Sequence, residues 1–122
     1  MSGISGNGLK CFITTAVCRY SGKSDDCEEL TLLRKFRDDY MLTHPDRKPL
    51  VDKYYVEAPS IVTKLDSLAD KRKQLIYSSF LHDFIHPAID AIKNKQYELA
   101  LMYYSKLFKL AGEVADTETL GE

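Results

Sequence analysis

The sequence predicts an all-α fold, a small helical bundle in which N-terminal helices pack on a C-terminal antiparallel helical hairpin. Apolar residues recur at the three- and four-residue spacing of helices through most of the chain. Prolines and turn residues divide this pattern into separate segments. The chain has 122 residues, 44% hydrophobic and 29% charged, a composition typical of one soluble domain. We expect a flexible leader at 1–8, one helical domain at 9–115 and an acidic frayed tail at 116–122.

The first helix is expected from Leu9 to Tyr20. Apolar residues share one arc of its helical wheel, and β-branched residues leave a strand possible, but strict apolar and polar alternation is absent. A helix is therefore favoured. The opposite arc carries two thiols and two hydroxyls, those of Cys11, Thr14, Thr15 and Cys18.

Capping residues and prolines place the middle helices. Asp25 and Glu28 have the spacing of a capping box, so we expect a second helix from this turn to about Thr43, ended by Pro45. Pro49 is expected to open a third helix and Pro59 a fourth.

The C-terminal half predicts the hairpin. A wide apolar arc runs from Asp70 to Lys93, within which Pro87 must kink or restart the helix. Asn94 and Lys95 form a short turn, and a second amphipathic helix is expected over 96–115.

Three segments resemble a bacterial family named for its Cys-Phe-Ile box (the CFI-box family). They are Cys-Phe-Ile-Thr-Thr-Ala at 11–16, Leu-Arg-Lys-Phe-Arg-Asp at 33–38, and the pair Tyr54-Tyr55 before Pro59. The resemblance covers roughly residues 11–59. The chain departs from the family pattern after Ala16, where Val17-Cys18 replaces a Tyr-Gly turn. The family has no assigned activity. The resemblance therefore indicates candidate residues but does not indicate a reaction.

Charge and cysteine content limit the possible environments. The 17 basic and 18 acidic residues give a net charge of −1, so no overall field attracts nucleic acid or anionic lipid. We therefore expect no nucleic-acid and no membrane partner. The three cysteines are an odd number, and no export signal is evident, which predicts reduced thiols and a cytoplasmic location.

The arc of Cys11, Thr14, Thr15 and Cys18 is the first candidate site. The helix dipole and Lys10 would lower the pKa of the Cys11 thiol, so this arc could bind a ligand or support thiol chemistry. The alternative is that these small residues allow another helix to pack closely.

Arg37 is the second candidate because it falls in the middle of an apolar arc. Its guanidinium needs a partner, which could be an anionic ligand bound together with Cys11, or an internal ion pair with the stem packed in the core. Arg34 and Asp38 are four residues apart and are expected to form a surface pair.

Metal binding has only weak candidates in this sequence. These are the cysteines and one histidine pair, Cys11, Cys18, Cys27, His82 and His86. Their spacing matches no zinc signature, so we expect no metal site and no cofactor.

Two functional hypotheses follow. The first is a small cytoplasmic accessory or adaptor protein that acts by binding a protein partner or by self-association, with its eight tyrosines as anchors. The alternative is a thiol-dependent enzyme or a binder of a small anionic ligand that uses Cys11 and Arg37.

Overall fold

A computed structural model describes residues 12–120 of the chain. Within this range the fold is all-α, as predicted, and contains no strand. The helices are α1 (Phe12–Tyr20), α2 (Glu28–Phe36), α3 (Lys48–Asp66), α4 (Asp70–Phe80), α5 (His86–Lys93) and α6 (Tyr97–Leu120). Two π-helical turns, at Arg37–Met41 and Leu81–Ile85, continue α2 and join α4 to α5. The predicted leader at 1–8 lies outside the described residues.

The expected capping of α2 by Asp25 is wrong. The helix begins at Glu28, and Cys27, with an extended backbone, occupies the N-cap position without a side-chain cap. The carboxylate of Asp25 instead accepts two hydrogen bonds from Arg19, at 2.7 and 2.6 Å. An ion pair with the end of α1 therefore replaces the predicted cap.

The helical stretch that begins with α2 ends at Met41, close to the expected Thr43, but its last turn is not α-helical. Its last turn widens into the π-helical turn, and the Leu42 N–H donates to the Arg37 carbonyl five residues earlier, at 2.8 Å. A π turn accommodates one more residue than an α turn. Both Arg37 and Met41 face the core in this turn.

Helix α3 replaces the two helices that the prolines predict. Pro49 lies in its first turn, whereas Pro59 lies in the helix interior, where it cannot donate the usual bond to the carbonyl four residues earlier. The helix continues because one of its faces is buried on both sides of Pro59, at Tyr54, Ala58 and Ile61. Tertiary packing of that face outweighs the local cost of the proline.

The predicted break at Pro87 is confirmed. Helix α4 ends at Phe80, and the second π-helical turn follows, in which the His86 N–H donates to the Leu81 carbonyl. Pro87 then lies in the first turn of α5, where a missing N–H has no cost.

The hairpin between α5 and α6 closes through a tight turn. Lys95 adopts a positive φ of 60°, and the Gln96 N–H donates to the Ala91 carbonyl at 2.8 Å. These bonds satisfy carbonyls at the end of α5 and turn the chain back on itself.

The expectation that the chain frays after Ala115 is wrong for the described residues. Helix α6 extends to Leu120, five residues beyond the expected end. Asp116 pairs with Lys64 of α3 at 2.8 Å, and Glu118 pairs with Arg72 of α4 at 2.7 Å. The acidic residues thus attach the last turns of α6 to two neighbouring helices.

Helix α6 lies along both α5 and α3, while α1 packs on α3 and α4 and α2 packs on α5. The predicted packing of N-terminal helices on the C-terminal hairpin is therefore present. Each helix in residues 12–120 is too short or too polar to traverse a lipid bilayer.

Candidate functional site

The described part of the candidate arc on α1 is buried. Thr14, Thr15 and Cys18 expose 3%, 5% and 0% of their surface, and Ile13 and Val17 on the apolar side are equally enclosed. Cys11 lies outside the described residues. The burial of these three residues agrees with the alternative that small side chains allow close helix packing, because α1 contacts α2, α3 and α4.

Cys18 has the properties of a structural thiol. Burial, the neighbouring Cys27 thiol and the Glu29 carboxylate together raise the pKa of Cys18 to about 12. Only the thiolate is an effective nucleophile, so Cys18 is inert near neutral pH. Cys27 is also a free thiol but is partly exposed at the start of α2.

Alkylation of the native protein should therefore modify Cys27 before Cys18. At neutral pH we expect iodoacetamide to label Cys27 readily, and to reach Cys18 only after unfolding in denaturant. Peptide-level mass spectrometry of samples quenched at successive times measures both rates. Equal labelling of the two thiols in the native protein would contradict the burial of Cys18.

Arg37 is the largest charged group in the interior, with only 1% of its surface exposed. Its Nε donates to the Asp38 carboxylate at 2.9 Å, and its Nη1 donates to the Tyr55 hydroxyl at 2.7 Å. Of the two partners that the sequence left open for this guanidinium, an anionic ligand or an internal group, the structure contains the internal one. Its stem packs in the core while its head is held by groups of the π-helical turn and α3.

Two substitutions separate the stem from the charge of Arg37. Arg37→Ala should lower the free energy of unfolding by about 2–4 kcal/mol, because it removes the buried stem and leaves a cavity. Arg37→Leu should cost less than half as much, since it fills most of that volume and Asp38 can be solvated. Urea denaturation measures both, and an equal loss would show that the charge interactions dominate.

Thr15 is the one buried polar side chain in the described structure whose side-chain oxygen lacks a hydrogen-bond partner. Its Oγ1 is shielded from solvent because α1 packs against α2, α3 and α4. A buried hydroxyl without a partner costs free energy, and its presence in a native fold needs an explanation.

Thr15→Val should stabilise the unliganded protein. Valine has nearly the same shape, so we expect a gain of about 1 kcal/mol as the desolvated hydroxyl disappears. Thr14→Val is the control, because Thr14 does have an interaction partner, and that variant should not gain stability. Thermal unfolding followed by circular dichroism measures both, and a destabilised Thr15→Val would show that the hydroxyl is satisfied.

The expected surface pair of Arg34 and Asp38 is wrong. Arg34 Nη1 donates to the Asp25 carbonyl at 2.6 Å, and the Asp38 carboxylate pairs with Arg37. The π-helical turn begins between these two residues and changes the regular i,i+4 geometry that the surface pair requires. Both residues therefore serve local structure.

The metal candidates do not assemble into a site within the described residues. No group of three or more His, Cys, Asp or Glu side chains in residues 12–120 is arranged to hold a metal ion. His82 and His86 meet edge to face with ring centroids 5.6 Å apart, and His86 Nε2 lies 3.6 Å from the Glu29 carboxylate. Cys18 and Cys27 are neighbours on the other side of Glu29.

Within residues 12–120, six stacked or tilted aromatic rings form a continuous cluster, which we name the aromatic array. Tyr54 of α3 stacks on Phe108 of α6, with centroids 3.9 Å apart. The array continues through Tyr104 to Phe36 of α2, with centroids 6.5 Å apart. Its outer members are Tyr40 and Tyr97, whose rings lie 5.4 Å from each other and both contact Phe36.

The outer end of the array lines an open groove of about 420 Å³ between α2 and the α5–α6 hairpin, which we name the aromatic groove. Its apolar surface comes from Leu32, Phe36, Tyr40, Ile92 and Tyr97. Its rim carries Lys35, Asp39 and Lys93. Tyr97 remains 39% exposed, so a large aromatic surface is available to a partner.

The amino-acid sequence does not predict this groove. Phe36 and Tyr40 are four residues apart, which predicts that they share a helix face, but Tyr97 is distant in sequence and no local pattern pairs it with them. The eight tyrosines indicated an interface in general terms. Only the ring contacts of Tyr97, at the start of α6, with Phe36 and Tyr40 show which of them belong together.

Comparisons with known proteins give no relative for this chain. No protein family, no curated protein and no solved structure matches it. The resemblance to the CFI-box family therefore stays a prediction.

Proposed function

We propose that this is a small accessory or adaptor protein of the cytoplasm that binds a protein partner, or a second copy of itself, through the aromatic groove. The observation that carries the proposal is the pair of outer rings, Tyr40 and Tyr97, on the open wall of that groove. Tyrosine is enriched at protein interfaces because it offers a large apolar surface together with a polar hydroxyl.

The array supports the groove from beneath. Phe36 is buried and stacks on Tyr40 with centroids 5.1 Å apart, and Arg47 covers Tyr40 with its guanidinium 3.9 Å from the ring centroid. A ring held in this way loses little conformational freedom when a partner binds. Preorganised aromatic anchors of this kind are where binding energy concentrates in interfaces.

The rim of the groove has charges of both signs. Lys35 lies 3.6 Å from Asp39, and Lys93 lies 3.0 Å from Glu28, in each case at the surface. Such exposed pairs contribute little to stability. They can exchange partners on binding, so they would orient a partner that brings its own charged residues to the rim.

The alternative of a thiol-dependent enzyme or anion binder receives less support. It requires the guanidinium of Arg37 to face a ligand, whereas that group is enclosed and bonded to Asp38 and Tyr55. Cys11, the thiol that it requires, is outside the described residues. Free thiols at Cys18 and Cys27 are consistent with the proposed cytoplasmic location.

Selection of a displayed peptide library tests the groove directly. We expect the wild-type protein to enrich peptides with an aromatic or aliphatic anchor, and Tyr97→Lys to lose that enrichment by at least about tenfold. The matched control is Val56→Lys, which introduces the same charge at an apolar side chain 80% exposed outside the groove. Sedimentation equilibrium of the same three proteins measures self-association.

Either peptide binding or self-association that Tyr97→Lys abolishes and Val56→Lys preserves would support the proposal. The proposal fails if neither kind of binding occurs. It also fails if the two lysine variants behave alike, since the groove would then have no special role.

A further inference from the structure

A second concave site lies away from the aromatic groove, between α1, α3 and α4. This cleft has a volume of about 470 Å³, within the range of roughly 300–1,000 Å³ that is usual for small-molecule sites. Its walls include Thr15, Ala16, Tyr20, Val62, Asp66 and Tyr77. None of these residues lines the aromatic groove, so the cleft is a separate feature.

The apolar part of the cleft is aromatic. Tyr20 and Tyr77 meet edge to face with ring centroids 5.2 Å apart, and Ala16 and Val62 complete the surface. The two rings are fixed by their hydroxyls, because Tyr20 donates to the Asp70 carbonyl at 3.2 Å and Tyr77 donates to Asp66 Oδ1 at 2.9 Å. The aromatic wall of the cleft is therefore preformed.

Asp66 supplies an acceptor at this site. Burial and the adjacent Asp66 carboxylate raise the pKa of Tyr77, so its hydroxyl remains a neutral donor to Oδ1. Within residues 12–120, no hydrogen bond or ion pair engages the second oxygen, Oδ2. An exposed carboxylate oxygen beside two aromatic rings is suited to a ligand that donates hydrogen bonds.

Thr15 supplies the second, independent observation. It lines the same cleft, and its buried Oγ1 is the hydroxyl that has no partner in the described structure. Buried polar groups in native proteins are nearly always paired with protein, water or ligand. Because this oxygen is shielded from solvent, a ligand donor reaches it only after the side chains that cover it move slightly.

Two cationic side chains lie near the cleft, but both are engaged elsewhere and neither forms an ion pair with the Asp66 carboxylate. Arg19 at the edge of the cleft is already paired with both carboxylate oxygens of Asp25. Lys73 places its ammonium 5.6 Å from the Tyr20 ring centroid and donates to the Asp66 carbonyl at 3.2 Å. The Tyr20 ring thus already accepts an ammonium group of the chain itself, as aromatic faces do.

We propose that this cleft binds a small organic amine, with its ammonium group on Asp66 Oδ2 and its apolar body against Tyr20 and Tyr77, and that a small movement of the cleft wall on binding brings Thr15 Oγ1 into contact with the ammonium. The three hydrogens of a primary ammonium can serve both oxygens at once. The source could be a free monoamine or the terminal amine of a larger metabolite, since both present the same chemistry.

Titration of the full chain followed by amide NMR tests the cleft with three probes of one shape. These are 2-phenylethylamine, its neutral analogue 2-phenylethanol, and the anion phenylacetate. We expect the amine to bind at least about tenfold more tightly than either analogue, with shifts in the amide signals around Thr15, Asp66 and Tyr77. A larger amine with the same terminal group distinguishes the two sources by relative affinity.

Variants assign the interaction to the named atoms. Asp66→Asn keeps an acceptor for Tyr77 but removes the charge, so the preference for the amine should disappear. Thr15→Val should weaken amine binding by about tenfold, the loss expected for one hydrogen bond to a charged group. Asp52→Asn, which removes an exposed carboxylate elsewhere on the same helix, should leave binding unchanged.

Absence of binding by the amine would overturn the proposal, as would equal affinity for the three probes or stronger binding of phenylacetate. Unchanged amine affinity in Asp66→Asn or Thr15→Val would also overturn it. Tyr97→Lys should bind the amine normally, so failure of this inference is distinguishable from failure of the aromatic groove.

Discussion

The stacking of Tyr54 on Phe108 connects the two longest helices of the protein, α3 and α6. Aromatic pairs contribute about 0.5–1.5 kcal/mol beyond the burial of their surface. The rings on either side extend this contact to α2, so that one array joins helices that are distant in sequence. The position of α6 across α3 and α5 then determines where Tyr97 lies, and with it the shape of the aromatic groove.

A second organising feature is the satisfied charge of Arg37. A buried guanidinium is costly unless its donors are paired, and here partners come from the π-helical turn and from α3. Arg37 and Met41, the first and last residues of this turn, both face the core. The arginine therefore appears in the apolar arc for structural reasons, while the open polar and aromatic surfaces lie elsewhere.

The sequence predicted the features that depend on local pattern. Helical periodicity gave the all-α class, Pro87 gave the break before α5, and the position of Arg37 in an apolar arc indicated a buried guanidinium with a partner. The predictions that fail are those that depend on contacts between helices. Pro59 is typical of a helix start, yet α3 continues past it because one face of the helix is buried on both sides of the proline.

The end of α6 was mispredicted for the same reason. In the sequence, Asp116 and Glu118 are typical of a solvated tail, whereas in the structure they pair with Lys64 and Arg72 of other helices. For the site, the sequence nominated Thr15 among the candidate residues without distinguishing its unpaired hydroxyl from the other groups on that arc. Asp66, Tyr77, Tyr40 and Tyr97 were missed as site residues because each takes its role from a residue on another helix.

We propose that the outer rings of the aromatic array are the surface for protein contact. Hydroxyl-radical footprinting of the tyrosines, in the free protein and in its bound state, tests this at the level of single rings. We expect strong oxidation of Tyr97 in the free protein, protection of Tyr97 and Tyr40 on binding, and weak oxidation of the buried Tyr54 in both states. Protection that falls on Tyr20 instead, with Tyr97 unchanged, would contradict it.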